Sequence, residues 1–329
     1  MLKHAMFRKK SLEISICIPV HNTEVLLVRC LDSVAAQNFD GLELVLINDQ
    51  SIGHDEQGRN CRKIVKAFKK KTKIPVVYVE HNQYVPLLET RRELVENAHG
   101  EYILMVDSDD FLADDALRIL YESAKSTGAD ITCGTERIYH LLNGKTSITD
   151  TRYAFHKEGT LSDRQILDSW LVRSESSAFL WAKLIKRELY LQAFNSIPYM
   201  DCSLSVDTPI YFFLAYHAKS YFGIKDVVYY YLENEGITTN KPISDLEKWR
   251  RHCTVASVYS LLLTFEGGMT EEEKEGVRKM SRLFMKNAVL RLRNQVVPEL
   301  REEAREMLCE FWGDGYVQTV EKFMDEKNE

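Results

Sequence analysis

A chain of 329 residues carrying 43 Lys and Arg against 49 Asp and Glu, formal net charge −6, is long enough for one large domain with an appendage or for two domains. Its positive charge is too sparse for nucleic acid to be a main partner. No apolar run reaches the roughly 18 residues of a membrane span.

The basic Lys3–Lys10 start leads only into a short apolar run, so neither a signal peptide nor an anchor is expected. Seven cysteines, scattered without paired metal-ligand spacing, indicate reduced thiols and a cytoplasmic protein. Peripheral contact with the inner face of a membrane stays open, because an acceptor can sit there when the enzyme itself does not.

From the first strand onward, strand-like and helix-like runs alternate. Ile14–Val20 reads as a strand, Val25–Ala36 as a helix with an apolar stripe at Leu26, Leu27, Cys30, Leu31, Val34 and Ala35, and Leu42–Ile47 as a second strand. A helix near Arg62–Lys70, a strand at Val76–Glu80, a helix near Leu87–Asn97 and a strand at Tyr102–Val106 follow. This is a βαβ rhythm with a largely parallel sheet, an α/β fold in three layers. A helix near Asp114–Ser126 and a strand at Asp130–Cys133 come next, then a less regular region containing Trp170, Trp181 and a strand at Tyr229–Tyr231. From Ser244 the periodicity is helical only, with Val277, Met280, Leu283, Phe284 and Val289 at helical spacing. The expected division is therefore residues 1–243 as the α/β domain and 244–329 as a helical appendage, packed on that domain or mediating a dimer.

The strand at Tyr102–Val106 ends in Asp107, Ser108, Asp109 and Asp110. Ligands in open α/β sheets bind beyond the carboxyl ends of the strands, and clustered carboxylates call for a hard divalent cation such as Mg²⁺ or Mn²⁺, which bridges to phosphates. Asp49 repeats the pattern of an acid after an apolar strand. It is suited to accept hydrogen bonds from a base N–H or a ribose hydroxyl, or equally to serve as a turn or cap residue.

Several segments together carry a resemblance: Ser15 to Asn22 (SICIPVHN), Cys30-Leu31-Asp32-Ser33-Val34 with Gln37, Ile47-Asn48-Asp49, and Ala98 to Tyr102 running into Asp107-Ser108-Asp109-Asp110. The chain resembles the bacterial family-two glycosyltransferases, most clearly over residues 14–133 and more weakly through Trp181-Ala182-Lys183-Leu184, Asp207 and Val227–Tyr231. The resemblance implies the GT-A fold and an inverting, non-processive enzyme that moves a sugar from a nucleotide-sugar donor, with uracil as the base, to a glycan or lipid-linked acceptor. By matching positions it implies that Pro19, His21, Asn22, Glu24 and Asp49 line the nucleotide pocket, that Asn82 and Arg91 approach the nucleotide or its diphosphate, and that Ser108 joins the donor site. It further implies that Asp107 and Asp109 hold the divalent metal, that Asp207 is the catalytic base, and that Trp181 and Lys183 border the acceptor. The chain departs from the family pattern at Val206, where Glu usually stands beside the base, and at His21, Gln50 and Arg92.

Plainer roles exist for two of these residues: a helix N-terminal position for Asp207 and core packing for Trp181. A haloacid-dehalogenase-like phosphohydrolase, with the first Asp as nucleophile, and a non-catalytic sugar-nucleotide-binding scaffold are the rival functions.

Overall fold

The computed structural model describes residues 11–142, 145–149, 154–233 and 242–326; the basic Lys3–Lys10 start lies outside them. The first half runs β1 (Ile14–Val20), α1 (Glu24–Ala36), β2 (Leu42–Asp49), α2 (Cys61–Lys71), β3 (Val76–His81), α3 (Leu87–Glu96), β4 (Tyr102–Met105), β5 (Phe111–Leu112) and α4 (Ala116–Thr127). The second half runs β6 (Ile131–Leu142), β7 (Lys145–Thr149), β8 (Gly159–Ser162), α5 (Arg164–Leu171), β9 (Lys183–Lys186), α6 (Arg187–Asn195), α7 (Asp207–His217) and β10 (Ser220–Leu232). Beyond these lie α8 (Leu246–Cys253), α9 (Ala256–Leu263), α10 (Glu271–Asn294), a short 3₁₀ turn, α11 (Arg301–Trp312) and α12 (Asp314–Glu326).

The strands form one sheet in the order β3-β2-β1-β4-β9-β6-β10-β5, with β7 against β6 and β8 against β10. β1 lies between β2 and β4, parallel to both, Ile14 pairing with Leu42 on one side and Tyr102 on the other. The apolar runs of β1, β2 and β4 are buried on both faces, as a helix-covered parallel sheet requires. α1 turns Leu27, Cys30, Leu31 and Val34 into one of the two layers. Gly100 is obligatory just before β4: a Cβ there would sit 2.6 Å from the Ser15 backbone nitrogen, and its N–H donates to Ser15 Oγ at 2.8 Å.

Sequence patterning places β1 to β4 and α1 to α4 within a residue or two but misses the two-residue β5. It underestimates β6 and β10, and it misses β7, β8, α5, β9, α6 and α7 in the region expected to be irregular. β9 is only four residues long and enters antiparallel between β4 and β6, so it has neither length nor parallel neighbours to announce it.

The helical region is not a free appendage. Val255, Val258, Tyr259, Leu262 and Val277 belong to the same apolar cluster as Phe212 and Phe213 of α7. Trp249, Met285, Val289, Ala304, Leu308 and Val317 form a second cluster of their own. The buried Glu273 carboxylate, which also closes the α10 capping box with Thr270, is paired with Arg164 of α5. All seven cysteines are unpaired thiols, six buried and Cys309 partly exposed. Among the described residues no helix is long and apolar enough to cross a membrane.

Candidate active site

The carboxyl ends of β1, β2 and β4 open on one cleft of about 940 Å³, where the strand topology calls for a ligand. From β1 it is lined by Pro19, His21 and Asn22. Asn22 takes a left-handed backbone (φ 56°). Its side-chain Oδ1 accepts from Ile52 N–H at 2.9 Å, while its own N–H donates to Ser51 Oγ at 3.0 Å, so the loops after β1 and β2 are clipped together. His21 Nδ1 lies 2.6 Å from the backbone oxygen of Asp49. Asp49 lines the cleft, and its Oδ1 is 3.1 Å from His81 Nδ1, whose other nitrogen is 2.8 Å from Glu93 Oε2. His81 therefore fixes the carboxylate that sequence reasoning singled out, although no local pattern marked it.

The turn after β4 separates the three acids. Asp107, Ser108 and Asp109 line the cleft. Asp110 turns inward, 1% exposed, where Tyr229 OH donates to its Oδ2 at 2.8 Å and Leu232 N–H to its Oδ1 at 2.7 Å. The Tyr229 hydroxyl also accepts from Asp107 N–H at 3.0 Å, so one side chain ties the turn to β10. Burial, reinforced by Asp109 and Asp107, pushes the Asp110 carboxyl well above the usual carboxylate range. The expected cluster of three acids thus resolves into a facing pair and a structural anchor. On the facing side Ser108 Oγ is 2.7 Å from Thr23 Oγ1, and Arg29 donates to the Asp109 carbonyl at 2.8 Å.

Arg91, on α3 and nearly buried, reaches two cleft carboxylates at once: Nη2 is 3.0 Å from Asp107 Oδ1 and Nη1 is 2.6 Å from Asp207 Oδ1. Asp207 is the first residue of α7. Burial raises its pKa, Arg91 opposes that rise, and Asp107 adds to it. Trp181 edges the cleft from an aromatic stack, 4.9 Å from Phe179 and 5.8 Å from Tyr231 between ring centres. It is 3% exposed, so it combines the core role with a place at the cleft edge.

Three expected positions fall elsewhere. Lys183 is buried beneath the cleft, its Nζ donating to the Phe179 carbonyl and lying 5.3 Å over the Tyr211 ring; strand β9 alternates faces, and this one points inward. Glu24 is buried under the loop after β2, where a Cβ on Gly53 would meet its carboxylate. Asn82 is exposed after β3 and lies outside the cleft lining. Conversely, Asp245, Lys248, Arg251 and His252 at and on α8 form part of the wall. Their helical spacing was legible, but not what that face would meet.

Among the described residues no three His, Cys, Asp or Glu side chains converge as a metal cage. Asp107 and Asp109 nevertheless suit a cation held by one or two carboxylates and completed by substrate phosphates, the usual mode for Mg²⁺.

The profile of a family described as Glycosyl transferase family 2 matches residues 15–189. Glycosyltransferase GlyA of Streptococcus pneumoniae serotype 4 is 26% identical over 183 residues, 55% of this chain and 25% of that protein. A poly(ribitol-phosphate) beta-glucosyltransferase of Bacillus spizizenii is 30% identical over 180 residues, 51% of this chain and 27% of that protein. The chain thus spans about a quarter of the length of these two relatives. Among solved structures, S. aureus TarS 1–349 in complex with UDP-GlcNAc superposes with a TM-score of 0.54 at 18% identity, covering 93% of this chain and 92% of that one. The mannosyltransferase PcManGT of Pyrobaculum calidifontis, in complex with GDP-Man and Mn²⁺, gives 0.53 at 14% identity, covering 86% and 75%. The GT-A fold is therefore shared, and the phosphohydrolase alternative has no support among these matches.

Proposed function

The chain belongs to glycosyl transferase family 2, and on that premise we propose that it moves a sugar from a UDP-sugar to a hydroxyl of a glycan or lipid-linked acceptor, with inversion at the anomeric carbon. The observation that carries this reading is that the Asp107, Asp109 and Asp207 carboxylates open on the same cleft as Pro19, His21, Asn22 and Asp49. Pro19, His21, Asn22 and Asp49 bind the nucleoside, with His81 holding the Asp49 carboxylate. Asp107 and Asp109 would hold a divalent cation, which when bound offsets charge on the departing nucleoside diphosphate. Asp207 takes the proton from the acceptor hydroxyl. Its burial strengthens it as a base, and the Arg91 guanidinium opposes that rise by favouring the charged form. Trp181 gives the sugar an aromatic edge, and Lys183 supports Asp207 electrostatically from below. The family names and the UDP-GlcNAc-bound neighbour support the donor class, and the Mn²⁺-bound neighbour supports the metal.

The test is Asp207→Asn, which keeps size and removes basicity. Transfer, followed by mass spectrometry with a library of nucleotide-sugars, should fall ~10²–10⁴-fold while UDP affinity changes little. Near-normal turnover would overturn the assignment of the base, and a wild-type protein that binds no nucleoside diphosphate would overturn the transferase reading itself.

A further inference from the structure

The cleft is strongly acidic, lined by Asp49, Asp107, Asp109, Asp207 and Asp245. Its cations are unequally committed. Arg91 is spent on Asp107 and Asp207. Lys248 and Arg251 also line the cleft, and among the described residues neither makes an ion pair; Arg251 lies 5.8 Å over the ring of Tyr84.

The helix that carries these two cations is anchored to the rest of the molecule. They stand one turn apart on α8, on the same helix face, both half-buried. The opposite face is anchored by Trp249, fully buried, whose indole N–H donates to the Ala304 carbonyl at 2.8 Å, and by buried Cys253. Arg250 pairs with Asp201 on the loop that leads into α7 and Asp207. Anchored this way, α8 presents both side chains from a fixed backbone position.

Two unpaired cations in an otherwise acidic cleft select for anionic ligand groups, which sugar hydroxyls are not. An Arg fork beside a Lys point charge matches phosphate oxygens. We infer that Lys248 and Arg251 form a phosphate-binding wall, taking either the diphosphate of the donor or a phosphate carried by the acceptor. The inference rests on the transferase reading, and it brings the helical region into substrate recognition.

The double variant Lys248→Gln/Arg251→Gln, made in the full chain and checked for an unchanged melting temperature, is titrated by calorimetry in Mn²⁺ buffer with UDP, pyrophosphate, glycerol 3-phosphate and glycerol. Affinity for at least one phosphate probe should fall about tenfold or more, with glycerol unaffected. Loss confined to UDP and pyrophosphate assigns the wall to the donor; loss confined to glycerol 3-phosphate assigns it to the acceptor. Equal affinities of variant and wild type for every phosphate probe would overturn the wall while leaving the transferase reading intact. Wild type that binds pyrophosphate or glycerol 3-phosphate through these residues, but no nucleoside diphosphate, would overturn the transferase reading and leave the wall.

Discussion

Arg91 Nη1 lies 2.6 Å from Asp207 Oδ1, and the same guanidinium holds Asp107. The cation therefore sets the protonation of the acid assigned as base. Arg91 lowers the Asp207 pKa against the upward push of burial, so removing it in Arg91→Gln should raise that pKa. The acid limb of kcat/KM should then move to higher pH, because more base is needed to ionise Asp207. A limb that stays put in an otherwise folded variant would mean that a different group titrates. The variant should also melt lower, since breaking a buried pair costs ~3–5 kcal/mol.

Asp109→Ala should abolish the dependence of UDP binding on Mn²⁺ or Mg²⁺ and reduce affinity in metal to the level seen with chelator in wild type. Calorimetry with and without EDTA measures this. Wild-type UDP affinity that is indifferent to chelator would remove the metal from the proposal.

Asp110 carries a pKa raised well above normal by burial. Its proton therefore contributes stability that is fully present below the unfolded value of about 4 and is lost as pH rises through the elevated native value. Asp110→Asn keeps the shape and the oxygen that accepts from Leu232 N–H, turns an N–H donor toward the Tyr229 hydroxyl, and does not titrate. Relative to wild type, its melting temperature should rise progressively from pH 4 upward. Parallel melting curves across that range would show that Asp110 does not titrate in the native state as its burial requires.

The Arg164–Glu273 pair joins α5 to α10, with Glu273 fully buried. Arg164→Ala leaves a buried carboxylate unpaired, and urea unfolding should show a loss of ~3 kcal/mol; adding Glu273→Gln should restore part of it. Ending the chain at 243 would strip Val255, Val258 and Tyr259 from the cluster they share with α7. Such a truncation should be insoluble, and a soluble, fully active one would contradict the shared core.

Much of the site was legible because its residues follow buried strands, whose apolar runs end abruptly at polar turns. Asp49, Asp107 and Asp109 are found this way, and the family resemblance added Pro19, Asn22, Arg91 and Asp207. What escaped depends on long-range geometry. Asp110 turns away from its neighbours because Tyr229 and Leu232, more than a hundred residues later, complete its hydrogen bonds. Lys183 points inward because β9 is inserted between β4 and β6. Glu24 sits in the first turn of α1 on the face that packs beneath the loop holding Gly53. The α8 wall depends on helix packing that no local spacing encodes.

The distribution of thiols makes the native chain a single-site label acceptor. Burial raises the pKa of all seven cysteines, but six are also shielded from reagents, whereas Cys309 in α11 is partly open to solvent. A maleimide dye should therefore attach at one position, giving a fluorescent reporter on the helical region without any engineered change. Each chain that unfolds would uncover six more thiols, so the mass added per molecule counts the unfolded fraction directly.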